Sequence, residues 1–293
     1  MTSTSLDIAG KVDPRTVEVL QLIERLASAL DIPYVVIGAT ARDLILHHYY
    51  GARIQRATQD IDFAIQVADW SAFAALTDAL ENEGFEATKM AHRFKSPTGG
   101  AVDIVPFGAV EDEQATIAWP PAGDIKMTVL GLEEALATSI RVFLTEGAEP
   151  GIPVATPTGL TILKLIAWTE RPSDIRIKDA KDLVYIIESQ EHIPAVQDEC
   201  YGDQGLMGSY EWYINLSAAE ILGRNVRDVL QPRTTELLSQ LFEHGTGKLK
   251  LENLIEESCS HPDIQMERHS ALIQAFVKGF REGQKHLQDG ENS

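Results

Sequence analysis

A short apolar strand, a glycine and the start of a helix follow one another in residues 34–43, YVVIGATARD. A second apolar stretch, residues 60–67, reads DIDFAIQV and has both of its acids at the beginning. Side chains two positions apart project from the same face of a strand, so we expect Asp60 and Asp62 side by side. The two stretches predict a strand–turn–helix unit followed by a strand that presents two carboxylates.

The periodicity of apolar residues predicts the elements around these two stretches. Helices are expected over residues 14–30, 39–49, 70–82, 131–143, 157–170 and 178–188. Further strands are expected over residues 85–90, 92–95 and 101–106. This order indicates an α+β fold with a small mixed β-sheet, flanking helices and a C-terminal helical region. We expect residues 1–190 to form the core with appended helices, and 191–293 to form a mainly helical C-terminal domain.

Composition excludes several classes of protein. The chain has 293 residues and a formal net charge of −19 at pH 7, whereas general binding to DNA requires a basic face. We expect no membrane span, because no apolar run approaches the ~20 residues that cross a bilayer. We expect no secretion signal, because residues 1–13 lack a charged start followed by an apolar stretch. With only two cysteines, Cys200 and Cys259, a disulfide framework is not expected, and the cytoplasm is the expected location.

A third acid, Asp103, lies in the middle of an apolar stretch, AVDIV. If its strand lies beside that of Asp60 and Asp62, three carboxylates converge, and their mutual repulsion favours a bound cation. Oxygen ligands of this kind suit Mg²⁺, and three carboxylates around two ions are typical of phosphoryl and nucleotidyl transfer. The alternative is that each acid faces solvent without a ligand.

The turn at Gly38 has the features of a phosphate cradle. A glycine allows close approach of the backbone, the following helix start offers unpaired N–H groups, and Thr40 adds a hydroxyl. Several cations flank this region in the sequence: Arg42, Arg53, Arg56, Arg93 and Lys95. For Arg56, an ion pair with Asp60 or Asp43 competes with a contact to substrate. The ordinary alternative for the turn itself is a structural glycine between strand and helix.

These residues occur in the order of a known family. Gly38-Ala39-Thr40, then Arg56-x-Thr58-x-Asp60-x-Asp62, then Asp103 resemble the nucleotidyltransferase superfamily with the polymerase β-like fold. The arrangement is most similar to the AbiEii/AbiGii-type toxin branch of type IV toxin–antitoxin systems. The resemblance continues through residues 157–168, PTGLTILKLIAW, and 178–183, KDAKDL, and covers roughly residues 15–190.

The resemblance implies a Mg²⁺-dependent enzyme, with two ions and Mn²⁺ as a substitute, that uses an NTP as substrate. It would move an NMP to an RNA such as a tRNA end, or to a protein hydroxyl, and a cognate antitoxin would be its partner. The residues implied to be catalytic are Asp60, Asp62, Asp103 and Lys164, the three acids also binding metal. The residues implied to bind nucleotide are Gly38, Ala39, Thr40, Arg42, Arg56, Lys164, Asp179 and Asp182.

Two other functions remain open from the sequence. A small-molecule adenylyltransferase of the aminoglycoside-modifying kind would suit the charge of −19, because cationic acceptors are drawn to an acidic protein. A non-catalytic module that binds an NTP or a partner is favoured by Ala39, which stands where the superfamily usually has a second glycine or a serine. For Lys164, the ordinary alternative is a surface lysine whose stem lies along apolar residues. For Arg176, Lys178, Asp179 and Asp182, the ordinary alternative is a set of surface ion pairs.

Overall fold

The computed structural model describes residues 5–54, 60–147, 150–202, 205–247 and 249–290, with side chains of the last helix up to residue 282. The chain divides into two compact units, residues 1–160 and 161–293. The domain boundary expected near residue 190 stays a prediction, because this division follows compactness and not independent folding.

The first unit alternates helices with the strands of a sheet. Its helices are α1 (Pro14–Ala29), α2 (Gly38–Arg42), α3 (Trp70–Asn82) and α4 (Leu132–Ala137). Its strands are β1 (Ser5–Asp7), β2 (Tyr34–Ile37), β3 (Ile61–Val67), β4 (Glu86–Ala87), β5 (Arg93–Lys95), β6 (Ala101–Gly108), β7 (Thr116–Ala118), β8 (Lys126–Thr128), β9 (Ile140–Phe143) and β10 (Ile152–Val154). A π-helical segment, Asp43–Tyr49, follows α2 directly.

Within the described ranges, eight strands form one sheet in the order β1-β9-β10-β2-β3-β6-β5-β4, and β7 pairs with β8. β3 and β6 run parallel, whereas β2 is antiparallel to β3 and β5 is antiparallel to β6. This mixed sheet with helices around it confirms the α+β class expected from the sequence.

The centre of the sheet is the core of the first unit. Phe63, Ala64 and Ile65 of β3 are fully buried, as are Val102 and Ile104 of β6. A strand in the middle of a sheet is covered on both faces, which explains why the strand over 61–67 is apolar almost throughout. Asp62 and Asp103, two of the acids predicted for the site, therefore lie near the beginning of these buried strands.

One predicted helix is wrong in its second half. The helix expected over 131–143 ends at Ala137, and Ile140–Phe143 form β9 between β1 and β10. The side chain of Thr138 hydrogen-bonds the carbonyl of Glu134 at 2.7 Å, which closes the last turn. The residues that follow include β-branched Ile140 and Val142, which favour a strand once neighbouring strands are available for pairing.

The second unit is helical. Its helices are α5 (Pro157–Glu170, which begins in the first unit), α6 (Ser173–Ser189), α7 (Pro194–Tyr201), α8 (Ile214–Val229), α9 (Pro232–His244), α10 (Leu251–Ser258) and α11 (Pro262–Gly290). The helix expected over 178–188 is the second part of α6. No helix in the described part of the chain combines the length and the apolar composition needed to cross a bilayer.

Helices α8 and α11 approach each other closely through a glycine. A Cβ atom on Gly279 would lie 1.9 Å from the carbonyl oxygen of Glu220, so no larger residue fits there without moving a helix. The Glu220 carboxylate is fully buried and accepts hydrogen bonds from Tyr210 Oη at 2.5 Å and Lys278 Nζ at 2.7 Å. A buried charge with several donors of this kind ties the two helices together.

Candidate active site

A row of facing residues crosses four adjacent strands of the sheet. Asp62 of β3 pairs in register with Asp103 of β6 on one side and with Ile37, the last residue of β2, on the other. Asp103 in turn faces Arg93 of β5. Residues paired in register project to the same face, and neighbouring strands lie about 4.8 Å apart. The charged side chains of the row therefore share one face of the sheet.

Asp60 lies just before β3 and reaches the same group. The Arg93 Nη2 atom lies 2.6 Å from Asp103 Oδ2 and 3.9 Å from Asp60 Oδ2, and Arg93 Nε lies 2.7 Å from Asp103 Oδ1. One guanidinium thus contacts two of the predicted acids and binds Asp103 at two points. The side chain of Asp60 is 55% exposed and that of Asp103 only 15%. This acid cluster, Asp60, Asp62 and Asp103, is therefore most open to solvent at Asp60.

Arg93 is a permanent cation of the acid cluster. Its hydrogen bonds to Asp103 raise the pKa of Arg93 above its ordinary value, while partial burial acts in the opposite direction. The negative charges of Asp103, Asp60 and Asp62 raise it further. Because the pKa of arginine ordinarily lies far above physiological pH and is raised further here, Arg93 stays protonated.

Gly38 lies against Asp62 and has a backbone that favours glycine. Its φ is +69°, and a Cβ atom built on it would lie 2.0 Å from Asp62 Oδ2. Any side chain at this position would overlap the carboxylate. A glycine is therefore required at position 38 because Asp62, which is distant in the chain, lies so close to it.

The hydroxyl of Thr40, which was predicted to contact phosphate, hydrogen-bonds a backbone group in this structure. Thr40 is buried, and its Oγ1 donates a hydrogen bond to the backbone carbonyl of Asp60 at 2.8 Å. This bond joins the backbone of Asp60 to α2, so in this conformation the hydroxyl positions Asp60. Ala39 is also buried, at 9% exposure, and leaves the backbone of the turn as its contribution to a cradle.

Arg42, one of the predicted nucleotide-binding arginines, is buried. Arg42 is 1% exposed, and its Nε donates to Asp43 Oδ1 at 2.8 Å. In this conformation its guanidinium belongs to the core and is inaccessible to a ligand, because its helix faces the sheet. Arg56 and Thr58 lie outside the described residues.

Lys164 lies between two buried acids of the second unit. Its Nζ is 3.0 Å from Asp179 Oδ1 and 2.8 Å from Asp182 Oδ2, and these two side chains are 1% and 2% exposed. Lys164 is on α5, whereas the two acids lie three residues apart on α6 and so point to one side of that helix. Because Asp179 and Asp182 are buried, the alternative that these two acids belong to surface ion pairs is wrong.

Sequence reasoning missed three contacts of the second unit. Arg171, the residue that follows α5, lies 2.9 Å from Asp179. Glu257 of α10 accepts hydrogen bonds from Arg176 at 2.9 Å and from Trp168 Nε1 at 2.7 Å. No local signal identifies Glu257, because it lies in an ordinary acidic helix face and its contacts are distant in sequence.

The donor chemistry of the acid cluster fits a divalent cation of the Mg²⁺ type, because its side chains offer carboxylate oxygens only. In the described residues, however, no three His, Cys, Asp or Glu side chains are arranged to hold a metal ion. The positive group that now lies against Asp103 and Asp60 is Arg93. The cluster therefore has suitable ligands, one of which is already engaged by an arginine.

Cavity volume does not identify the site. Two cavities of ≈ 610 and ≈ 670 Å³ flank α1, and neither is lined by Asp60, Asp62 or Asp103. Their walls are formed mostly by residues of α1 and of the chain around β9. The assignment of the candidate active site therefore rests on the acid cluster and Arg93 and not on cavity size, because function depends on specific residues and not on overall shape.

Comparison with known proteins points to the same chemistry. A family model described as "Nucleotidyl transferase AbiEii toxin, Type IV TA system" matches residues 21–203. No curated protein matches the chain. Among solved structures, the solution structure of the antibiotic-resistance factor ANT(2'')-Ia is 15% identical, covering 61% of this chain and 85% of that chain, with a TM-score of 0.36.

Two further solved structures are similar in part. The crystal structure of ANT(2")-Ia in complex with adenylyl-2"-tobramycin is 12% identical, covering 73% of this chain and 97% of that chain, with a TM-score of 0.33. The Thermotoga maritima CCA-adding enzyme complexed with tRNA is 12% identical, covering 93% of this chain and 80% of that chain, with a TM-score of 0.26. All three TM-scores lie below 0.5, so the assignment rests on the family model, which matches more than half of the chain. The chain belongs to the AbiEii family of nucleotidyl transferase toxins of type IV toxin–antitoxin systems and is a transferase of the EC 2.7.7 type.

Proposed function

We propose that this protein transfers a nucleoside monophosphate from an NTP to a hydroxyl of an RNA, such as a tRNA end, or of a protein, in a Mg²⁺-dependent reaction. The observation that carries the proposal is the in-register pair of Asp62 and Asp103 on neighbouring strands, with Asp60 beside them. Such a group of carboxylates on one sheet face is suited to transfer of a phosphate-bearing group.

The residues of the first unit take the following roles in this proposal. Asp60 and Asp62 would hold the cations, and Asp103 would complete the second cation site and accept the proton of the attacking hydroxyl. When bound, a divalent cation polarises the phosphate and stabilises its developing charge. Gly38 leaves room for the carboxylate of Asp62, and the backbone of the Gly38–Thr40 turn faces the phosphates. Two Mg²⁺ ions, with Mn²⁺ as a substitute, remain the proposed number and identity.

Lys164 is proposed as the electrostatic stabiliser, with Asp179 and Asp182 as positioning residues. Support comes from the 3.0 and 2.8 Å contacts, which hold the ammonium in one place. A fixed cation needs no reorganisation when negative charge develops on a transferred phosphate. Arg42 and Arg56 remain proposed nucleotide contacts, Arg42 on the condition that it leaves the core.

The cellular setting is also a proposal. A cognate antitoxin is the proposed partner, and a toxin or phage-defence role follows from the family. A cytoplasmic location agrees with the free thiols of Cys200 and Cys259. An aminoglycoside-type acceptor is the second candidate, and the net charge of −19 favours it because cationic molecules are attracted to an acidic protein.

Incubation of the purified protein with each of the four labelled NTPs and Mg²⁺ tests the proposal. Total RNA, a mixture of proteins and an aminoglycoside serve as separate acceptors, and EDTA replaces Mg²⁺ in a parallel series. We expect Mg²⁺-dependent labelling of one macromolecular acceptor with release of pyrophosphate. Labelling of the aminoglycoside alone would favour the second candidate, and tight NTP binding without pyrophosphate release would favour a non-catalytic module.

An Asp60→Asn variant is expected to label the same acceptor about 100-fold more slowly, because one cation ligand loses its charge. Because the side chain of Asp60 is 55% exposed, we expect the variant to fold as the wild type does, and thermal unfolding checks this. Labelling at the wild-type rate would refute the role of the acid cluster.

A Gly38→Ala variant is expected to transfer nucleotide about 10- to 100-fold more slowly. The added methyl group overlaps Asp62 Oδ2, and a displacement of about 1 Å at a reacting group costs about two orders of magnitude. Gly51→Ala is the matched control, because Gly51 also has a positive φ, of +75°, but its Cβ would meet nothing within 4 Å. If both variants lose the same activity, backbone strain and not contact with Asp62 is the cause.

A further inference from the structure

The Arg93 guanidinium occupies the side of the acid cluster where a cation would join Asp103. Both oxygens of Asp103 accept hydrogen bonds from it, Oδ1 from Nε at 2.7 Å and Oδ2 from Nη2 at 2.6 Å. The same Nη2 lies 3.9 Å from Asp60 Oδ2. An arginine that engages both oxygens of a carboxylate in this way forms a strong and directional ion pair.

A metal ion and this guanidinium compete for the same ligand. Mg²⁺ binds carboxylate oxygens at about 2.0–2.1 Å and requires a nearly octahedral set of ligands. Two positive groups that share one carboxylate lie within a few ångströms of each other and repel strongly. Occupation of Asp103 by Mg²⁺ therefore requires the guanidinium to move away.

The position of Arg93 permits such a movement. Its side chain is 36% exposed, and its strand β5 has only three residues, between β6 and the two-residue edge strand β4. A guanidinium that leaves Asp103 at this edge remains near the same sheet face. Arginine binds phosphate groups by the same two-point geometry that it uses for carboxylates.

We propose that Arg93 is an exchangeable cation of the acid cluster: it neutralises Asp103 and Asp60 in the nucleotide-free protein and is displaced when a divalent cation enters. The inference rests on the proposed function, because it takes the acid cluster to be a metal site. It assigns Arg93 a positioning role, in which the arginine lowers the affinity of the free protein for Mg²⁺. The divalent cation then binds the acid cluster mainly when the NTP is also present.

Titration of the nucleotide-free protein with Mg²⁺ by calorimetry tests this exchange, using wild type, Arg93→Gln and Arg93→Lys. We expect Arg93→Gln to bind Mg²⁺ about 3- to 10-fold more tightly than wild type, a range that reflects a partly exposed ion pair. Arg93→Lys, which keeps the charge but loses the two-point bond, is expected to lie in between. A purely structural role of Arg93 would weaken Mg²⁺ binding and not strengthen it.

Lys95→Gln is the matched control. Lys95 lies on the same strand, two residues from Arg93, and forms an exposed ion pair with Glu86 at 3.5 Å. Its loss changes the net charge equally, so Mg²⁺ affinity within about twofold of wild type shows that the effect of Arg93 is local. A gain in Lys95→Gln equal to that in Arg93→Gln overturns the inference.

The remaining outcomes separate this inference from the proposed function. Equal or weaker Mg²⁺ binding by folded Arg93→Gln, compared with a wild type that does bind Mg²⁺, overturns the exchange alone. Failure of every variant and of wild type to bind Mg²⁺, alone or with an NTP, overturns the metal part of the proposed function as well. If thermal unfolding shows that Arg93→Gln is not folded, Arg93→Lys decides, and affinity no higher than that of wild type overturns the inference.

Discussion

Asparagine in place of Asp62 is expected to lower the rate of nucleotidyl transfer by about 1,000-fold or more, which corresponds to about 4 kcal/mol of transition-state stabilisation. Asp62 occupies the middle of the row, between Ile37 on β2 and Asp103 on β6. The amide has nearly the same shape as the carboxylate, so the fold is retained while one negative charge of the proposed cation site is lost. The larger effect than for Asp60 follows from this central position.

The rate of labelling of the acceptor at saturating NTP measures this effect. Asp78→Asn serves as the matched control, because Asp78 lies on the exposed side of α3 and undergoes the same change of charge. We expect the control to retain the wild-type rate within about twofold, as is usual for surface substitutions. A rate for Asp62→Asn within tenfold of wild type would show that the row of charges is not the centre of the reaction.

Methionine in place of Lys164 is expected to lower the free energy of unfolding by about 3 kcal/mol, in addition to its effect on transfer. Removal of one member of a buried ion group leaves charged carboxylates without compensation, and Asp179 and Asp182 are almost fully buried. Arg171 still contacts Asp179, which moderates the loss. Methionine keeps most of the volume of the lysine stem, so the change reports the charge.

Urea denaturation followed by circular dichroism measures this loss of stability. Lys178→Met is the matched control, because Lys178 is exposed and precedes Asp179 on the same helix. Its expected change is within about 0.5 kcal/mol. Lys164→Arg is expected to recover part of the stability but not the full transfer rate, since a guanidinium differs in shape from an ammonium. A loss below about 1 kcal/mol in Lys164→Met would mean that other groups stabilise the two acids.

The elements around the acid cluster were predictable from local patterns. Strand 34–37, the glycine after it and strand 60–67 correspond to β2, Gly38 and β3, and the strand over 101–106 corresponds to β6. The family resemblance based on Gly38, the two acids and Asp103 is confirmed by the match over residues 21–203. These signals were sufficient because apolar periodicity and glycine conformation are local properties of the chain.

Errors arose where pairing with distant strands overrides local preference. Ile140–Phe143 have an apolar pattern that a helix or a strand can use, and the adjacent β1 and β10 decide in favour of a strand. The strand over 85–90 shortens to β4, which lies at the edge of the sheet, whereas the strand over 92–95 corresponds to β5. Edge positions offer a partner on one side only, so local propensity alone gives a poor estimate of strand length.

By itself the amino-acid sequence determined the chemistry available to this protein: three carboxylates on strands, a glycine turn, and a lysine and two acids on helices. Only the tertiary structure decided which groups meet. The pairing of Arg93 with Asp103, the burial of Arg42 and the enclosure of Lys164 between Asp179 and Asp182 depend on strand order and helix packing. Side-chain charges are local, whereas desolvation and ion pairing depend on contacts between distant parts of the chain, and no pattern within one segment contains that information.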